Sequence, residues 1–173
     1  MKEPVVLRYR ISDRVVTAQI DDASLLEPLE GFFPDYRAGE AGAPGADPCR
    51  VRVSRSTEGF LVLGPRRGEA HHCSETAELL NAYEYSLSTA FLEAFADVAQ
   101  LHASGAVVDG AAVLAVGPAG AGKTSIAFAL LVAGHPTLGD DIVFISRERH
   151  ALAFRRLFKV HAKTLVAAGV EPA

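Results

Sequence analysis

Gly117-Pro118-Ala119-Gly120-Ala121-Gly122-Lys123-Thr124 reads G-x-x-x-x-G-K-T, the pattern of a phosphate-binding loop. Each residue type has a physical reason. Glycines let the backbone curl so that its N–H groups converge on phosphate oxygens. The positive end of a following helix favours the same anion. The pattern assigns Gly117, Gly120, Ala121, Gly122, Lys123, Thr124 and Ser125 to nucleotide binding. Lys123 is expected to reach the β- and γ-phosphates of ATP, and the Thr124 hydroxyl to sit on Mg2+.

The flanks decide whether such a match is a working loop, because the motif must follow a strand and open a helix. Ala111-Ala112-Val113-Leu114-Ala115-Val116 is a short apolar run suited to a buried strand. Residues 125–133 contain no proline or glycine, and Gly134 supplies a stop signal. Upstream, Val107-Val108 and the run at 111–116 are separated by Asp109-Gly110. That dipeptide is the strong two-residue hairpin signal, so a hairpin is expected to lead straight into the loop.

Downstream, His135-Pro136-Thr137-Leu138-Gly139 reads as a breaker, then come Asp140-Asp141 and the strand Ile142-Val143-Phe144-Ile145. A phosphate loop needs acidic help for Mg2+ and, in a kinase, for taking the acceptor's proton. The usual partner ends an apolar strand; this pair is read as preceding one. Two adjacent carboxylates do not both stay ionised cheaply without a cation nearby. One can therefore hold metal while the other accepts a proton. Beyond Ser146 the chain is basic and then Ala-rich, with a helix or strand expected around 157–166.

Before the hairpin, Ser74 is expected to cap a long helix with Glu75 and Glu78 in its first turn. Leu79, Leu80, Tyr83, Leu87, Phe91, Ala94, Phe95 and Val98 make one apolar stripe over roughly seven turns, which reads as core packing. Nearer the N-terminus, Leu7–Ile11 and 15–20 read as a hairpin turning at Ser12-Asp13, and Asp21-Asp22 as a structural strand exit. Residues 23–36 hold a short helix, and 37–48 read as a loop. Arg50-Val51-Arg52-Val53-Ser54-Arg55 alternates, with the arginines on a solvated face, and 59–64 is its partner strand. His71-His72-Cys73 reads as a polar loop entering the helix rather than a metal site, because adjacent strand side chains point to opposite faces.

Whole-chain properties narrow the function classes. The chain has 173 residues, 49% hydrophobic and 22% charged, within the range of globular proteins. Its net charge of −4 makes no electrostatic case for nucleic acid. No apolar run suggests a membrane span, and the N-terminus lacks a signal-peptide core, so a cytoplasmic location is the default. Two cysteines, Cys49 and Cys73, do not build a disulfide framework.

His102, the Asp109-Gly110 hairpin, the Gly117–Thr124 loop, a helix ending Ala133-Gly134-His135, and Asp140-Asp141 follow in an order and spacing that resemble the catalytic core of HPr kinase/phosphorylase and its relatives. The resemblance covers about residues 101–145. Those are bacterial kinases with a P-loop whose fold is akin to phosphoenolpyruvate carboxykinase and distinct from ordinary P-loop NTPases. It implies an α/β protein with such a P-loop core at 101–173, preceded by a small mixed α/β region at 1–100 that ends in the long helix. It also implies Mg2+ on Thr124 and Asp140, Asp141 as the general base, and His102 as a polar auxiliary near the transferred phosphate. The implied activity is phosphoryl transfer from ATP to a hydroxyl, a serine on a protein or peptide. Family members commonly form closed oligomers. The first hundred residues carry no family motif, and the family's later elements have little room in the 32 residues after Asp141. A second expectation therefore stands beside the first: a nucleotide-binding module that serves regulation or assembly without chemistry. A transport ATPase would carry a downstream Ser-Gly-Gly motif, and none is present.

Overall fold

A computed structural model describes residues 3–40, 50–156 and 160–170. The chain is a mixed α/β protein with one six-stranded mixed sheet and two three-stranded antiparallel sheets. It divides into two compact units, 1–96 and 97–173. Among the described residues no helix is long and apolar enough to cross a membrane.

The first unit is built on the hairpin of β1 (Val5–Ile11) and β2 (Arg14–Ile20), which turns at Ser12 with a positive φ of 54°. Residues 37–40 were expected in a loop. They form β3 (Arg37–Glu40) against β1, a pairing between segments too far apart for local pattern to reveal. The rest of that expected loop, with Cys49, lies outside the described residues. β2 also pairs in parallel with β4 (Arg50–Ser56), after a connection carrying α1 (Leu26–Glu30). β5 (Gly59–Leu63) and β6 (Ala70–Cys73) complete the sheet. His71-His72-Cys73 is thus an edge strand and not a loop. No cluster of three metal-ligating side chains occurs among the described residues.

Helix α2 (Thr76–Ala94) lies over β2, β4, β5 and β6. Leu79, Tyr83, Leu87, Ala90 and Phe91 are buried at helical spacing, which seals the sheet face carrying Leu7, Tyr9, Val16, Ala18, Val51, Val53 and Val62. The helix runs five turns, not seven: it ends at Ala94, and Phe95 reaches the core from the C-cap. Its start also differs from expectation. Ser74 is a donor: its N–H and hydroxyl both donate to Glu78 Oε2, at 2.8 and 2.9 Å, and these bonds hold the Glu78 carboxyl below its usual range. Glu75 is the N-cap residue.

Aromatic rings fill the space under α2. Phe33 stacks edge-on against Tyr9 at 6.3 Å and lies 5.7 Å from Phe91. The Tyr9 and Tyr83 hydroxyls share a 2.8 Å hydrogen bond, and burial pushes both phenols up. On the rim, the arginines expected on a solvated face are engaged by the strand-exit acids. Arg52 meets Asp21 at 2.8 Å and Arg55 meets Asp22 at 2.6 Å. The Ser24 N–H, Arg55 and the Ser24 hydroxyl hold the Asp22 carboxyl down to about 2.

In the second unit, β8 (Ala103–Val108) is central, between β9 (Ala111–Val116) and β10 (Thr137–Gly139), antiparallel to both. The β8–β9 turn is the expected Asp109-Gly110, with φ of 49° and 78°. Two positive φ values in a two-residue loop match the twist of a hairpin. Helix α3 (Lys123–Val132) packs on β8, β9 and β10. Ala103, Ser104, Gly105 and Ala106 are buried in turn along β8, the mark of a central strand covered on both faces. A third sheet joins β7 (Ala99–Leu101), β11 (Val143–Ile145) and β12 (Ala151–Leu152). A short helix, α4 (Ala162–Ala167), follows within the region expected to hold a helix or strand; 157–159 lie outside the described residues.

Candidate phosphate-binding site

The loop at 117–122 joins β9 to α3, as its flanks require. Gly120 and Gly122 hold φ of 78° and 87° with nothing within 4 Å of an added Cβ. Glycine is needed there for backbone conformation, not for space. Gly122 is the N-cap of α3, so the N–H groups of the first helical turn, Lys123, Thr124 and Ser125, lack intrahelical acceptors and are available to an anion. Lys123 is buried, and its ammonium donates to the carbonyls of Gly117 at 2.9 Å and Pro118 at 3.1 Å. The lysine thus ties the two ends of its own loop together.

Gly120, Gly122, Lys123, Thr124 and Ser125 line one side of a cavity of about 320 Å3, within the range of small-ligand sites. Val160, His161, Lys163 and Thr164, at the start of α4, line the other side. Gly117 and Ala121, also expected at the site, shape the loop but do not line the cavity. Ser125 Oγ lies 3.3 Å from Thr164 Oγ1 and ties α4 to the loop.

The acidic pair sits at the same end of the sheet. β9 and β10 both run antiparallel to β8, so they run in the same direction, and the start of β8 lies between their carboxyl ends. Val116 pairs with Ala103, and the Ala103 N–H donates to the Asp141 carbonyl at 3.1 Å. The Ser104 hydroxyl donates to the Asp140 carbonyl. With strands about 4.8 Å apart, the backbone of the acidic pair lies on the order of 10 Å from the first residues of the phosphate loop. Asp140-Asp141 therefore follows directly on β10, where a breaker was expected, and precedes the strand β11, as expected. Three residues after a proline and ending in glycine carry no strand periodicity; their pairing with β8 makes them one.

His102 immediately precedes β8, and its Nδ1 lies 3.0 Å from Asp141 Oδ1. Arg156 donates to Asp141 Oδ2 at 3.1 Å. A His whose Nδ1–H faces a carboxylate keeps Nε2 for another partner. The resemblance brought His102 and Asp141 to notice, and the fold places them in contact. Arg156 was visible only as part of the basic stretch beyond Ser146, since nothing local aims it at Asp141. An element was expected around the α4 residues, but nothing in their sequence pointed to the loop, because a six-residue helix has almost no periodicity.

Gly139 links β10 to the acidic pair. Its φ is 152°, and an added Cβ would stand 2.8 Å from the carbonyl oxygens of Ile142 and Phe154. Gly139→Ala should therefore cost about 2 kcal/mol or more, since neither backbone oxygen yields as a flexible side-chain tip would. Urea denaturation checks this; a loss under about 0.5 kcal/mol, typical of a neutral surface change, would sink it.

The site thus combines a glycine-rich strand-to-helix loop with a carboxylate cluster at one end of a three-stranded sheet. Comparison with protein-family models, with curated proteins and with solved structures finds no match.

Proposed function

We propose that this chain is an HPr-kinase-like protein that binds ATP with Mg2+ at residues 117–125 and transfers a phosphoryl group to a hydroxyl, a serine of a protein or peptide. The observation that carries this reading is the meeting of the phosphate loop and the His102–Asp141–Arg156 cluster at one end of one sheet. Lys123 and the first N–H groups of α3 would hold the β- and γ-phosphates. Thr124 and Asp140 would hold Mg2+, which when bound offsets charge on the phosphate oxygens. Asp141 would take the hydroxyl proton as the acceptor oxygen bonds to the γ-phosphorus. The bond from that phosphorus to the β,γ-bridging oxygen breaks, and ADP leaves with its electron pair. His102 and Arg156 would fix the carboxylate, so that the gain comes from positioning.

One observation favours the second reading, a nucleotide-binding module without transfer: both oxygens of Asp141 are engaged, one by His102 and one by Arg156. The two readings share the binding step, so that step is tested first. Calorimetric titration of the folded chain with Mg·ATP should show saturable binding, weakened at least about tenfold by EDTA. No binding by a folded chain overturns both readings. Phosphate transfer to a hydroxyl acceptor then decides between them.

A further inference from the structure

Charge is unevenly supplied around the loop. A polyphosphate carries several negative charges, and phosphoryl transfer spreads more onto the equatorial oxygens. Within 117–125 the only cationic side chain is Lys123. Arg156, in the same unit, directs its guanidinium to Asp141. The opposite wall of the cavity fills the gap: Lys163 and His161 line it, and among the described residues no carboxylate lines the cavity. α4 is held against the loop by the Ser125–Thr164 hydroxyl contact at 3.3 Å.

We propose that α4 is the second wall of the phosphate site and that Lys163 binds the polyphosphate chain of the nucleotide from the side opposite Lys123. This rests on the ATP reading above. Cation and loop then close on the anion from two sides, and the Ser125–Thr164 contact sets their separation. The cavity recognises the phosphate chain rather than the nucleoside, because its described lining is two lysines, a histidine, three hydroxyl residues, two glycines and a single valine. Lys163 is exposed and outside the main core, so its replacement should leave the fold intact.

The test compares Mg·ATP binding by the full chain and by its Lys163→Met and Lys163→Arg variants, with thermal melting as the check on folding. Adenosine serves as the phosphate-free probe. The proposal predicts that Lys163→Met weakens Mg·ATP binding about 10-fold to 100-fold. Lys163→Arg should stay within about threefold of the wild type, because the charge is kept. Adenosine should bind no better to the wild type than to Lys163→Met. Wild-type binding that Lys163→Met leaves unchanged overturns this inference and leaves the ATP reading standing. Equal losses in both variants also overturn it, since a role in packing rather than charge would then explain them. A wild-type chain that binds no Mg·ATP removes the ATP reading and this inference with it.

Discussion

Lys123→Ala is expected to weaken Mg·ATP binding by at least about 100-fold, because it removes the cation that, on the proposed reading, would reach two phosphates through charge-assisted bonds. The fold should survive. Alanine is the best helix former at the first position of α3, and the local loss is the tie to the Gly117 and Pro118 carbonyls. Those carbonyls lie in a surface loop that water can reach, so the melting temperature should move by only a few degrees. The size of the binding effect follows from burial. Lys123 is only 9% exposed, so its charge already lies in a partly desolvated place where a phosphate interacts strongly with it. Calorimetry on both proteins decides. If the alanine variant binds Mg·ATP as the wild type does, the loop is not the phosphate site.

The largest expected stability effect lies elsewhere. Phe91→Ala should destabilise the protein by about 3–5 kcal/mol, the range for emptying a phenyl-sized volume in a packed core. Phe91 is fully buried on α2, with Phe33 at 5.7 Å and Tyr36 at 6.3 Å. Phe33 and Tyr36 share one short segment that is pinned from its other side by the contact of Phe33 with Tyr9 on β1, so neither ring is free to collapse into the hole. Against a total stability of about 5–15 kcal/mol this is a large share. The check is urea unfolding followed by far-ultraviolet circular dichroism. A loss below about 1 kcal/mol would mean that the aromatic cluster is not the core of the first unit.

What could be read from sequence was what is local. The β8–β9 hairpin followed from Asp109-Gly110 because two residues needing positive φ dictate their own turn. The buried face of α2 followed from spacing, although the apolar stripe continues through Phe95 after the helix has stopped. The strand-to-helix loop at 117–122 followed from its glycines and their apolar flanks. What failed was non-local. β3, β7, β10 and β12 are two to four residues long, and each exists because a distant strand supplies its hydrogen-bond partners. Residues 135–139 were read as a breaker for that reason, while the strand expected after the acidic pair is present as β11. At the site, His102 and Asp141 were named through a family resemblance, and composition alone would have left them apart. Arg156 and Lys163 follow breaks in local pattern, and only the folded backbone shows where they arrive.

The first residues of β8 touch both halves of the site, but the two halves are not joined to it at equal cost. The phosphate-loop side is reached through a two-residue turn. The acidic side is reached only after the chain has passed through α3 and returned, so Ala103 and Asp141 meet across a long closure. Loop-closure entropy therefore predicts an order of assembly: the glycine-rich loop can form with the hairpin and the helix that follows, while Asp140 and Asp141 wait for β10 to dock. In a loosening molecule the sequence reverses: the carboxylates part from the loop before the loop itself comes undone.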